Sequence, residues 1–471
     1  MARAGHRTVW LVVLWGLAAC APVGPEYEAP APELPAVYAA PLPALFQHGE
    51  PIEQWWKLFG DERLNSLVAS CLKQNLAIQV AQSRVREARA LARGAGARLG
   101  PTVSLEAGAT AGRTSEGGAG AESATTGTVG TGVAAAWELD LAGGLRRTRE
   151  AALAEAARRE ALRREVQRIT VAALVRTYAE LRAVQRRLEL TERSLALLQR
   201  TLALVEQQVA AGLSPGLDQV RARAEVASLR ADLGPLHSDI QRRAEALAVL
   251  LGQPPGALEE LVTDSARIPV AATGAALGPP ANLVRRRPDV QAAELNIMAA
   301  TAGVGVAMAD LYPRLTLQGS LGVGLAGLAT GDVVERALGS LSLLFNVPLF
   351  DGGERRANVT AAEERVVQAS LTYRETLLGA VQEVGAALLA YEGARQRRES
   401  LRSAVADNLL AYEQSRALYR QGLTSFLDVL DSQRQWNAAL EALSDAERDQ
   451  SLATIDVFTA MGGPARPGEE G

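Results

Sequence analysis

Few residues of this 471-residue chain combine the type and the spacing that chemistry needs. Gly212-Leu213-Ser214-Pro215-Gly216 fits G-x-S-x-G, the strand-to-helix elbow that presents a nucleophilic serine to a histidine. Gly322-Val323-Gly324-Leu325-Ala326-Gly327 fits G-x-G-x-x-G, which cradles phosphate when a strand precedes it and a helix follows. Asp428 and Asp431 stand three apart, so on a helix their carboxylates share a face and can attract cations. Cys20 ends Leu17-Ala18-Ala19-Cys20, a placement suited to acylation, and Cys71 is the other thiol.

The elements that position these residues decide among the readings. The serine motif follows a coiled-coil seam rather than a strand, and only His237 comes after it, so hydrolase chemistry has no frame. The glycine motif ends an alternating strand and runs into a Gly/Thr/Asp loop, without the helix a dinucleotide needs. Three His and two Cys are too few for a closed zinc site. With 49 basic against 53 acidic residues and a net charge of −4, no basic excess points to nucleic acid. The expectation is a protein that is not an enzyme, needs no cofactor beyond a covalent lipid and binds no nucleic acid.

Arg3, His6 and Arg7 followed by the apolar stretch Val9 to Ala18 read as a secretory signal over residues 1–19, too short to span a bilayer. Either Cys20 becomes the acylated first mature residue, or it is incidental to an ordinary cleavage site. Residues 20–55 carry eight prolines and read as an extended, lipid-anchored tether. No later segment offers 18 consecutive apolar residues, so a membrane crossing would have to use barrel strands.

Residues 61–98 have helical periodicity, with Cys71 on the apolar face as a buried, inert side chain. Two runs of about ten alternating residues follow, Thr102 to Ala111 and Thr128 to Leu139, around a polar loop at 113–126; this length and alternation suit transmembrane barrel strands. Leu145 to Ala211 contains no proline and carries Leu181, Val184, Leu188, Leu195, Leu198, Leu202, Val205 and Val209 at 3-4 spacing. Such a helix is roughly 100 Å long. After the turn at Gly212, a return helix runs from Leu217 to Leu251.

The chain then repeats itself. Ala97 to Pro101 is echoed by Ala309 to Pro313, Gly143-Gly144-Leu145-Arg146-Arg147 by Gly352-Gly353-Glu354-Arg355-Arg356, and Ala211-Gly212-Leu213-Ser214 with Asp218 by Gln421-Gly422-Leu423-Thr424 with Asp428. A tandem duplication follows: first repeat 56–251, equatorial linker 252–287, second repeat 288–461, loose tail 462–471. Each repeat supplies a helix, a β-hairpin, a long helix and a return helix. A four-stranded sheet with a lipid-compatible face has two open edges, which a bilayer does not tolerate, so closure must come from other copies.

Several short segments resemble the TolC-like outer-membrane efflux proteins, in particular the lipoprotein branch that serves RND-type pumps. They are Val23-Gly24-Pro25-Glu26-Tyr27, Trp55-Trp56 with Phe59-Gly60-Asp61, Leu250-Leu251-Gly252 before Pro254, Arg285-Arg286-Arg287-Pro288-Asp289-Val290 and Pro348-Leu349-Phe350-Asp351-Gly352-Gly353, in that order. The resemblance implies a mostly α fold with a β-barrel portion: a homotrimer with a 12-stranded outer-membrane barrel continued by a periplasmic α-helical coiled-coil barrel and a mixed collar. It implies a passive exit duct for small molecules, fed by an inner-membrane RND-type pump through a periplasmic adaptor. The protein would sit in the bacterial outer membrane, lipid-anchored, with most of its mass in the periplasm. A duct for type I protein secretion and a non-conducting coiled-coil scaffold are the alternatives. By the same resemblance, Tyr419, Asp428 and Asp431 fall in the gate, and Gly212, Leu213, Ser214, Asp218, Gly422, Leu423 and Thr424 at tips that meet the adaptor. Some members carry Arg where this chain has Thr424. Read from the residues alone, Asp428 either gates or caps its turn, and Tyr419 either gates or packs in a seam.

Overall fold

The computed structural model describes residues 21–31, 46–48, 54–115, 123–263, 267–271, 275–277, 286–328 and 333–462. The signal segment, Cys20, most of the proline-rich tether, Arg285 and the tail from 463 lie outside the described residues. In chain order the elements are β1 (Phe46–His48), a 3-10 turn (Trp55–Phe59), α1 (Glu62–Gln74), α2 (Leu76–Ala97), β2 (Thr102–Ser115), β3 (Ser123–Leu139), α3 (Gly144–Ala210), α4 (Gly216–Leu250) and α5 (Glu259–Thr263). They continue with β4 (Ala275–Leu277), α6 (Pro288–Ala309), β5 (Arg314–Leu328), β6 (Val333–Asn346), α7 (Glu354–Arg420) and α8 (Phe426–Ala460). The duplication is visible in the lengths: α3 and α7 have 67 residues each, α4 and α8 have 35.

One compact unit combines residues 1–30, 84–160 and 292–374. Its centre is an antiparallel meander, β2-β3-β5-β6. The strands have 14 to 17 residues, longer than the ten expected; in the first hairpin, pairing continues to Ser115 and resumes at Ser123, inside the stretch assigned to the loop. Residues 21–30 pack here without helix or strand. Val23 donates to the Ala142 carbonyl (2.9 Å), Arg147 donates to the carbonyls of Val23 (3.2 Å) and Gly24 (3.3 Å), and Tyr27 donates to Glu294 (3.0 Å). Gly24 has φ +96°, and a Cβ there would lie 2.6 Å from Gly305 Cα, so only glycine fits.

The other unit combines residues 31–83, 161–291 and 375–471. Trp55 stacks on Phe458 at 5.4 Å, β1 pairs in parallel with β4, Ser451 donates to the Pro269 carbonyl (2.7 Å) and Arg287 donates to the Ala460 carbonyl (3.1 Å). These contacts join the Trp55 turn, the linker and the C-terminal helix. Asp61 caps α1 by accepting from Leu64 N (3.0 Å) and also accepts from Tyr178 (2.7 Å), whose ring lies under Arg182. Burial and the Asp61 hydrogen bond raise the Tyr178 phenol above its usual range.

Two expectations need correction. The helix expected over 61–98 is broken at Asn75, whose side chain accepts from Ile78 N (3.1 Å) and donates to the Leu250 carbonyl (2.8 Å), so one amide caps α2 and anchors α4. And α6 is long and apolar enough to cross a membrane by length and composition, because its polar residues are few rather than absent. It carries Asp289 and Glu294, and its Gln291 and Thr301 are buried.

Candidate functional site

Three features of the sheet suit it to a membrane. Its odd-numbered positions carry apolar side chains that the single chain leaves in the open: Val103 (68% exposed), Leu105, Leu321, Leu341 (78%), Leu343 and Phe345. Even-numbered positions carry hydroxyls that pair across strands, Thr110 with Thr128 and Ser320 with Ser340 (2.8 Å). Glycines line the middle of this second face. A Cβ on Gly132 would lie 2.9 Å from Gly322 Cα, so the G-x-G-x-x-G motif serves close approach of β3 and β5 rather than a nucleotide.

At the end where strands meet helices, Tyr312, Trp137 and Phe345 are exposed aromatics, and Trp137 donates to the Leu99 carbonyl (2.9 Å). Aromatic rings at a strand end form the interfacial girdle of a barrel. Sequence reading missed this set, although each ring lies within a few residues of a helix junction.

The turns α3–α4 and α7–α8 are near copies. Gly212 (φ +73°) and Gly422 (φ +72°) end their helices in the left-handed region, while Leu213 and Leu423 donate back to the carbonyls of Gln208 (2.8 Å) and Leu418 (3.0 Å). Ser214 then donates to Asp218 (3.0 Å), and Asp428 accepts from Thr424 (2.6 Å), Ser425 Oγ (2.7 Å) and Ser425 N (3.0 Å). Those bonds hold the Asp428 carboxyl below its usual range, with Thr424 contributing most. Within the single chain Asp428 thus closes the capping box of α8, and Asp431 accepts from Gln435 (3.4 Å) one turn on. Leu213 (79% exposed) and Leu423 (69%) leave apolar tips at both turns.

Tyr419 donates to Gln208 (2.6 Å) and lies 5.8 Å from the Phe426 ring, on a cluster with Leu198, Val205, Ala222, Val226 and Leu430. It thus joins the second repeat's long helix to the first's. Arg434 pairs with Glu225, and Arg223 with Glu206 (3.0 Å), adding ties between α8 and α4 and between α4 and α3. Gln208, Glu206, Glu225 and Arg434 carried no signal in the sequence, because their partners stand on other helices. A last node is Arg287, which pairs with Asp289 (2.6 Å) and Glu383 (2.5 Å) while almost wholly buried. Burial alone would raise the Asp289 pKa, but the Arg287 hydrogen bonds and charge outweigh it and hold it low.

The profile of the family described as "Outer membrane efflux protein" matches residues 67–253 and 280–463, one match for each repeat. The chain belongs to the outer membrane efflux protein family. Nodulation protein T of Rhizobium leguminosarum bv. viciae is 32% identical over 456 residues, covering 94% of this chain and 91% of that protein. The pyoverdine export outer membrane protein OpmQ of Pseudomonas putida is 30% identical, over 95% of each chain. Among solved structures, the outer-membrane channel OprN superposes with a TM-score of 0.85 at 31% identity, over 94% of this chain and 99% of that one. CusC superposes at 0.78 and 25% identity, over 94% and 100%. This family member is an outer-membrane efflux channel.

Proposed function

We propose that three copies close their sheets into one 12-stranded barrel and that the long helices continue it as a passive, lipid-anchored exit duct for small molecules. One observation carries this reading: a four-stranded meander with one largely apolar face, a second face where hydroxyls and glycines stand beside Leu338 and Leu344, and β2 and β6 at its two outer positions. Such a sheet is stable in a bilayer only when its edges are paired. An inner-membrane RND-type pump supplies the energy and a periplasmic adaptor links it to the duct; the exposed Leu213 and Leu423, with Gly212, Ser214, Asp218, Gly422 and Thr424 shaping their turns, are the surface that meets the adaptor. Acylation of Cys20 supplies the lipid anchor, and the hold of Val23 and Gly24 on Arg147 supports this by fixing the chain just after it.

In this reading the resting gate rests on Tyr419, held to Gln208, and on Asp428 and Asp431, brought near the axis in three copies. The experiment is conductance of the purified chain in a planar bilayer. Wild type should give discrete channels, and Asp428→Ala should change cation selectivity or open probability. A protein that never conducts overturns the duct; unchanged conductance in the mutant removes Asp428 from the gate.

A further inference from the structure

The duplication fixes how neighbouring copies meet. Within the chain, β3 pairs with β5 so that Gly132 faces Gly322, Val133 faces Leu321 and Ala136 faces Gln318. The two hairpins share one register, since Thr102 faces Ala136 in the first and Arg314 faces Asn346 in the second. Thr102 and Arg314 each follow the proline of the repeated Ala97–Pro101 and Ala309–Pro313 segments, so β5 is the copy of β2; their partners Ala136 and Asn346 then align β6 with β3 face by face, and the connection to Gly352-Gly353 is one residue shorter than that to Gly143-Gly144.

We propose that β6 of one copy pairs with β2 of the next in the register that β3 and β5 already show inside the chain. This rests on the ring of copies proposed above. Translating the internal pairs places Ser342 opposite Thr110, Ser340 opposite Gly112 and Asn346 opposite Glu106 of the neighbouring copy. On the apolar face, Phe345 falls opposite Ala107, Leu343 opposite Ala109, Leu341 opposite Ala111 and Gly339 opposite Arg113. The first three of those rungs set a large side chain against alanine, the complementarity that cross-strand packing rewards. The hydroxyl ladder of the other face continues through Ser342 and Thr110. A slip of one residue would turn Leu341, Leu343 and Phe345 to the hydroxyl face, where Leu338 and Leu344 already stand, and Ser340 and Ser342 to the apolar one. A slip of two in one direction sets Phe345 against Leu105, and in the other sets Leu341 against Arg113.

The test is disulfide cross-linking in the full-length chain carrying Cys71→Ser, oxidised in native membranes. Directly opposite residues lie about 4.5–5.5 Å apart and diagonal ones about 7–8 Å, whereas a disulfide spans roughly 4.4–6.8 Å. β2 and β6 of one chain are separated by two strands, so any bond between them joins two chains. Ser342→Cys with Thr110→Cys should give covalent dimers and trimers at least about 10-fold more efficiently than Ser342→Cys with Gly108→Cys or with Gly112→Cys. Ser342→Cys with Gln318→Cys, opposite each other inside the chain, should close within one chain and report a folded sheet. Preferential cross-linking of a displaced pair overturns the register and leaves the ring standing. Failure of all three β2–β6 pairs in a protein that closes the internal pair and runs as a monomer overturns the ring itself, and the same failure in a trimer overturns the register alone.

Discussion

Arg287 is the most exacting residue of the helical unit, because its guanidinium is buried and holds two carboxylates and a carbonyl. Arg287→Ala leaves Asp289 beside an empty site and should cost about 3–5 kcal/mol, read as a lower melting temperature in detergent. Because the Asp289 pKa is lowered in the folded state, its share of stability is complete above about pH 4 and fades as pH falls further. Acid melts between about pH 5 and 2 should therefore show a loss in wild type that Arg287→Met no longer shows. Tyr419→Phe removes only the bond to Gln208, about 1 kcal/mol; if that bond holds the resting state, open probability should rise by a factor of about 5 in single-channel records. Arg287 was visible in the sequence within its Arg-Arg-Arg-Pro-Asp run, but Glu383 was not, and neither was Gln208. A polar partner on a distant helix leaves no periodic trace, whereas Asp428 and its turn could be found because their contacts are local.

At the scale of elements, the paired helices depend on their turns and the sheet on its glycines. Gly212 and Gly422 hold positive φ, so either one changed to Ala should cost about 1 kcal/mol in thermal melts. Ser425→Ala removes a cap from α8 at a similar cost. Gly132→Val should do more, because its Cβ would meet the backbone of Gly322 and separate β3 from β5; the readout is loss of heat-resistant folded protein in the outer membrane. Both long helices, both returns and all four strands were legible, since heptad spacing and strict alternation extend over many residues. The break at Asn75 was not, because a capping amide within an apolar pattern looks like any polar residue on a helix. Strand length was underread for a related reason: past Ala111 the apolar alternation ends, yet the backbone of residues 112–115 still pairs.

At the scale of the whole molecule, one chain is half a statement. Two repeats give four strands and two pairs of long and return helices, yet leave β2 and β6 at the outer edges and leucines open on the sheet. In the proposed closed duct, further copies supply the missing neighbours of β2 and β6. The most direct measurement is native mass spectrometry of the detergent-purified, full-length product. Complexes of three chains are predicted; a protein that stays monomeric when folded and extracted intact from the outer membrane would contradict the closed duct.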